Sequence, residues 1–121
     1  GSLEYAVEVL GVSVVLVLGH DECGAIRATM DSSSGKLRTK GEFIQNIVAR
    51  IQPTVTNAFA NGKHHIDEVT ELHIQDTIDE IMTRSKVIRE AVEAGKLGLV
   101  GANYKLALGE IHPITTLGTV E

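Results

Sequence analysis

Residues 1–26, GSLEYAVEVLGVSVVLVLGHDECGAI, decide the fold. Ser2 stands where an N-cap belongs, and Leu3, Ala6, Val7 and Leu10 recur at helical spacing before Gly11, so this first segment reads as a short helix. Val12 to Leu18 (VSVVLVL) is nearly unbroken and β-branched. Such a run predicts a strand covered on both faces, as in a parallel sheet with helices above and below. The turn Gly19-His20-Asp21-Glu22-Cys23-Gly24 follows at the strand's C-terminal end, and Ala25 to Met30 opens another helix.

Working outward, Asp31 to Gly41 carries three serines and two glycines and reads as an exposed loop. Phe43, Ile44, Ile47, Val48 and Ile51 predict a helix that Pro53 bends or restarts and Asn61-Gly62 ends. From about Val69 to Ala94, Ile74, Ile78, Ile81, Met82, Ser85, Ile88 and Val92 form one stripe, opposite a wet side of Asp76, Asp79, Glu80, Arg84, Lys86 and Glu90. That predicts one long helix closed by Gly95. Leu97 to Leu108 reads as a strand, Gly109-Glu110 as a turn, and Ile111 to Leu117 as the hairpin partner. The expected fold class is therefore α/β, a short and partly parallel β-sheet flanked by helices, in a single domain over residues 1–121.

Composition sets the outer limits. With 121 residues, 43% hydrophobic and 22% charged, the chain has the make-up of one globular domain. Eleven Lys plus Arg against sixteen Asp plus Glu give a net charge of −5. No basic block exists to hold a phosphate backbone, so nucleic acid is not an expected partner. The longest apolar run, Val14 to Leu18, is too short to cross a bilayer, and the expectation is a cytoplasmic protein without a membrane partner. A nucleotide-binding module is disfavoured, because no G-x-G-x-x-G or Walker pattern follows a predicted strand.

Ligands of open α/β sheets bind beyond the carboxyl ends of the strands, where His20 and Cys23 fall. His-x-x-Cys in a glycine-rich turn can bring an imidazole nitrogen and a sulfur to one metal, and zinc suits mixed N and S donors. The following helix N-terminus would favour a thiolate and a small anion. The other reading of the same pair is a buried free thiol beside a turn histidine. Asp21 and Glu22, inside the turn, read as water-facing. His64 and His65 read as a solvated loop or cap, His73 and His112 as satisfied surface histidines, and Ser32 to Ser34 as loop.

The whole run 1–26 resembles the β-class carbonic anhydrases, in which a G-S-[LI]-E-Y-A-V helix leads through an apolar strand to G-H-x-x-C-G-A. Weaker similarity continues to Leu99-Val-Gly-Ala-Asn-Tyr-Lys-Leu106, which is similar to the family's V-G-x-x-Y-x-L strand. The resemblance implies that Gly1-Ser2 are native sequence. It implies reversible zinc-dependent hydration of CO2 to bicarbonate, with His20 and Cys23 as ligands of Zn2+, the Gly24 amide on bicarbonate, and Tyr5 lining the pocket near a subunit interface. In the family an upstream strand lies in the same sheet and upstream helices help cover it, so without them apolar surface on the strand is left bare. The expectation is a homodimer or higher homo-oligomer with Leu3, Tyr5, Val7 and parts of the strand Val12 to Leu18 at or near the interface, as the family's own dimerisation also implies.

One departure is large. The family's upstream half carries a C-x-D-x-R motif, which supplies a third zinc ligand and an Asp and Arg gate, and Cys23 is the only cysteine in these residues. A catalytic zinc site normally keeps three protein ligands and one open position. The expectation is a domain truncated at its N-terminus, with an incomplete site and impaired activity in this chain alone. A carbonic anhydrase-like protein kept for binding or assembly is the alternative.

Overall fold

The computed structural model describes residues 1–120. Its elements are α1 (Ser2–Glu8), β1 (Val14–His20), α2 (Gly24–Ser33), α3 (Glu42–Ala60), α4 (Ile66–Arg84), α5 (Lys86–Glu93), β2 (Gly98–Lys105) and β3 (Glu110–Gly118). The sheet order is β1-β2-β3. β1 pairs parallel with β2 from Val14↔Gly98 to His20↔Tyr104, and β2 pairs antiparallel with β3. The expected α/β class and partly parallel sheet are therefore present. In β3, Pro113 pairs with Ala102 beside a register shift, on an outer strand where the missing N–H costs least.

α4 lies across one face of the sheet. Val15, Ile78, Ile88, Leu97 and Leu99 form the core there, with Val7 and Val17 packed on it. The helix sits so close that a Cβ on Gly101 would stand 2.7 Å from Ile74 Cγ2 and 2.8 Å from Ile78 Cδ1. A second core of Ile26, Met30, Ile51, Val55, Ala58, Ile66 and Val69 joins α2, α3 and α4, and Cys23 packs against its edge.

Three expectations need correction. β1 is covered on one face only: Val15 is buried, while Leu16 and Leu18 on the other face are 51% and 49% exposed. The helices lie over the face of Val15, Val17 and Gly19, so an apolar run signals a need for cover without saying who supplies it. The long helix is two. Ser85 adopts an extended conformation (φ −107, ψ 106), its Oγ accepts the Ile88 N–H at 3.2 Å, and its hydroxyl donates to Glu4 Oε2 at 2.7 Å. A serine cap thus interrupts a stripe whose apolar spacing runs on unbroken. Finally, α2 continues to Ser33 through residues expected to be loop. Of the two effects expected at Pro53, a restart does not occur, since Pro53 lies inside one helix, α3.

Candidate metal centre

β1 ends at His20, and its ladder with β2 is extended by one bond, from Asp21 N–H to the Tyr104 carbonyl at 3.1 Å. The turn that follows is narrow because Glu22 takes a left-handed conformation (φ 52), a position where a non-glycine residue is uncommon. That reversal delivers Cys23 to the N-cap of α2. The Cys23 carbonyl accepts the first helical bond, from Arg27 N–H at 3.0 Å. The Cys23 side chain caps nothing, so its sulfur stays free at the mouth of the helix, half-buried.

His20 is exposed on the open face of the sheet, across from Tyr104. Its Nδ1 lies 2.7 Å from the Asp21 carbonyl oxygen. A carbonyl only accepts, so Nδ1 carries the proton and the lone pair is left on Nε2. Metal-binding histidines are commonly held this way, by a partner on the nitrogen that does not ligate. The donor set therefore suits zinc in kind, imidazole Nε2 with a thiol sulfur, and falls short in number. Among the described residues no group of three or more His, Cys, Asp and Glu side chains is arranged to hold an ion.

Gly24 is the first residue of α2, exposed, and a Cβ built on it would meet nothing within 4 Å. Packing within this chain does not demand glycine here. The first-turn amides of α2 precede its first backbone bond and are free to face an anion. Tyr5 is elsewhere. It is 57% exposed on α1, which packs on α5 and is tied through Glu4 to Ser85. α4 passes Gly19 at Thr70 and Ile74 and reaches Ser85 only beyond Val15, so Tyr5 lies at the opposite end of β1 from His20, roughly 20 Å along the strand. Val7, expected at or near an interface, is half-buried and packs on the core.

Among the other polar residues, Asp21 and His73 depart from their sequence reading and the rest keep to it. Asp21 does not face water alone: its Oδ1 accepts the Leu106 amide at 3.0 Å. Glu22 is exposed, as read. His65 does cap α4, accepting Asp67 N–H at 3.1 Å, and His112 sits 3.0 Å from Glu110 Oε2. His73 is half-buried, 3.4 Å from Thr54 Oγ1, whose hydroxyl donates to Asp76 Oδ2 at 2.6 Å. Burial lowers the His73 pKa, with Asp76 and Glu80 opposing the shift. Sequence reasoning missed the Asp21 contact because its partner is a backbone amide 85 residues away, which no side-chain pattern announces.

The carbonic anhydrase family model matches residues 1–111, most of the chain and all of the His20–Cys23 turn. The chain belongs to the β-carbonic anhydrase family. It is similar to the carbonic anhydrase of Mycolicibacterium smegmatis, 36% identical over 120 residues that cover 99% of this chain and 58% of that protein. Carbonic anhydrase 2 of Mycobacterium tuberculosis is 38% identical over 107 residues, 88% of this chain and 51% of that protein. The chain thus spans between 51% and 58% of the length of these relatives. Among solved structures, the β-carbonic anhydrase CcaA superposes with a TM-score of 0.82 at 21% identity, covering 99% of this chain and 57% of that one. The Coccomyxa β-carbonic anhydrase gives 0.78 at 19%, covering 96% and 53%. These likenesses establish a shared β-carbonic anhydrase fold. No helix among the described residues is long and apolar enough to cross a membrane.

Proposed function

We propose that this chain is the C-terminal part of a β-carbonic anhydrase domain whose intact form interconverts CO2 and bicarbonate. The observation that carries the reading is the His20 Nδ1 to Asp21 carbonyl bond, which leaves the Nε2 lone pair free at the end of β1 while the same short turn leads to Cys23 at the head of α2. In this reading His20 Nε2 and Cys23 Sγ hold Zn2+, and a third ligand comes from outside residues 1–121, where the family carries its C-x-D-x-R motif. Zinc, when bound, supplies the Lewis acidity that brings the ionisation of water near neutral pH. The chain's own part is to fix the two donors, to present the Gly24 amide to bicarbonate, and to leave that amide unobstructed by a side chain.

The open face of β1 supports a homodimer or higher homo-oligomer. Val14, Leu16 and Leu18 stand exposed in a row, and an apolar strip of this kind associates in water. The solved structures include two tetrameric β-carbonic anhydrases of Sordaria macrospora, at a TM-score of 0.78. Tyr5 can line a pocket beside His20 only from a neighbouring copy, given its place at the other end of β1. The shortfall in ligands favours a second reading, a non-catalytic carbonic anhydrase-like binding or assembly protein.

Stopped-flow CO2 hydration separates them. The intact natural protein should be active and the 121-residue chain alone nearly inactive, with zinc in the intact protein lost on Cys23→Ser. An intact protein that neither binds zinc nor hydrates CO2 would establish the second reading. Stoichiometric zinc insensitive to Cys23→Ser would overturn the ligand assignment.

A further inference from the structure

Asp21 is bonded through all three of its polar groups. Its N–H donates to the Tyr104 carbonyl at 3.1 Å, its Oδ1 accepts the Leu106 N–H at 3.0 Å, and its carbonyl oxygen lies 2.7 Å from His20 Nδ1. Two of these bonds go to successive points at the end of β2 and the start of the turn that leads into β3. That turn is itself closed, with the Leu108 and Gly109 amides both donating to the Lys105 carbonyl. The ligand turn is therefore anchored to a hairpin that no metal or substrate residue occupies.

We propose that Asp21 is the positioning residue of the metal centre, its carboxylate clamping the ligand turn to the Leu106 amide so that its own carbonyl holds His20 in the Nδ1–H tautomer. The proposal rests on the reading of His20 and Cys23 as zinc ligands. Its reasoning is geometric. A peptide carbonyl can orient an imidazole only if the peptide plane is itself fixed. The bond from Asp21 N–H fixes the plane before the residue, and the Oδ1 bond fixes the residue against rotation on the other side. Glu22 follows in a left-handed conformation, so without the clamp the Asp21–Glu22 peptide has a less strained alternative available. Release would let the His20 proton move to Nε2, the atom needed for the metal, and would loosen the delivery of Cys23 to the helix. The clamp needs an acceptor oxygen at this position and not a charge, which separates it from a merely electrostatic contribution.

The test uses the intact natural protein, Asp21→Ala and Asp21→Asn, with zinc alone as the probe. In the metal-free protein, at a pH where the imidazole is neutral, long-range 1H–15N spectra should show His20 as the Nδ1–H tautomer, and Asp21→Ala should turn it into a mixture. Asp21→Asn keeps an Oδ1 acceptor and should restore the single tautomer. Zinc affinity should fall about 10- to 100-fold in Asp21→Ala, the usual loss for such outer partners. Asp21→Asn should recover most of it, while hydrogen exchange at the Leu106 amide accelerates only in Asp21→Ala. An Asp21→Ala variant with unchanged tautomer and zinc affinity overturns the proposal, as does an Asp21→Asn variant that behaves like it. Failure of the unaltered protein to bind zinc overturns the ligand reading instead, and the tautomer spectra then still report whether the clamp exists.

Discussion

The two faces of β1 are built from the same kinds of residue and meet opposite fates. Val15, Val17 and Gly19 turn toward α4, where Val15 is 8% exposed; Val14, Leu16 and Leu18 turn away, and Leu16 is 51% exposed. The neighbouring strand follows the same alternation of faces, with Leu99 and Gly101 in register with Val15 and Val17, and Val100 and Ala102 with Leu16 and Leu18. There, however, Ala102 is buried at 1% exposure and Val100 half-buried, so the open face is bare chiefly along β1. Fully burying a leucine or valine side chain is worth roughly 1.5–3 kcal/mol, so both faces have a similar stake in being covered. Only one is covered by this chain. An apolar strand therefore specifies how much surface must leave water, and leaves open whether the cover comes from the same chain.

The contrast can be broken most sharply at α4. Ile78 is 1% exposed and packs in the cluster that holds Val15, so Ile78→Ala should cost about 2–5 kcal/mol in urea unfolding. Leu16→Ala in the same chain should cost well under about 1 kcal/mol. Equal costs would mean that the open face is covered in solution.

Close packing gives the next largest effect. Gly101→Ala places a methyl group 2.7–2.8 Å from Ile74 and Ile78 and should destabilise by about 1–3 kcal/mol. Gly24→Ala, with nothing within 4 Å, should leave the melting temperature nearly unchanged while lowering CO2 hydration by the intact protein. A large loss of stability at Gly24 would show that its neighbours within the chain, and not an anion, require glycine there.

The open face makes its own demand. Leu16→Ser with Leu18→Ser should weaken self-association about tenfold or more, roughly 1.4 kcal/mol, as read by sedimentation velocity across a dilution series. Unchanged association would remove this face from the interface.

The smallest effect concerns the side of α4 away from the sheet. Burial holds the His73 pKa below its ordinary 6.5, against the pull of Asp76 and Glu80. The unfolded chain then takes up the proton more readily than the folded one, so the stability associated with His73 is intact above 6.5 and is lost as the pH falls from there through the lowered native value. His73→Gln should flatten that part of the stability–pH curve, and an unchanged slope would assign it to other groups.

Much of this architecture is legible locally. The helix–strand–turn–helix order of residues 1–33 follows from apolar period and glycine placement, and the hairpin from Gly109 between two apolar runs. The break at Ser85 was legible in principle, since a serine at the head of Lys86-Val-Ile is an N-cap signal, but the continuous stripe around it argues louder for one helix. The turn itself is written in the chain, with His20 and Cys23 at the end of a strand and ahead of a helix. The bonds around it are not, because His20 Nδ1 meets the carbonyl of Asp21, whose own N–H and carboxylate reach Tyr104 and Leu106 far along the chain.

The sequence by itself determined the α/β class, the partly parallel sheet, the membership of the β-carbonic anhydrase family and the place of the His-x-x-Cys turn at the end of β1. Each of these is carried by residues near one another in the chain, where period, capping and turn chemistry act within a few positions. Tertiary structure alone decided which face of β1 is covered, that Tyr5 and His20 lie at opposite ends of that strand, and that Asp21 bonds Leu106. Those outcomes depend on which distant segments meet, and a backbone amide or an unfilled sheet face looks the same in the sequence whether or not a partner arrives.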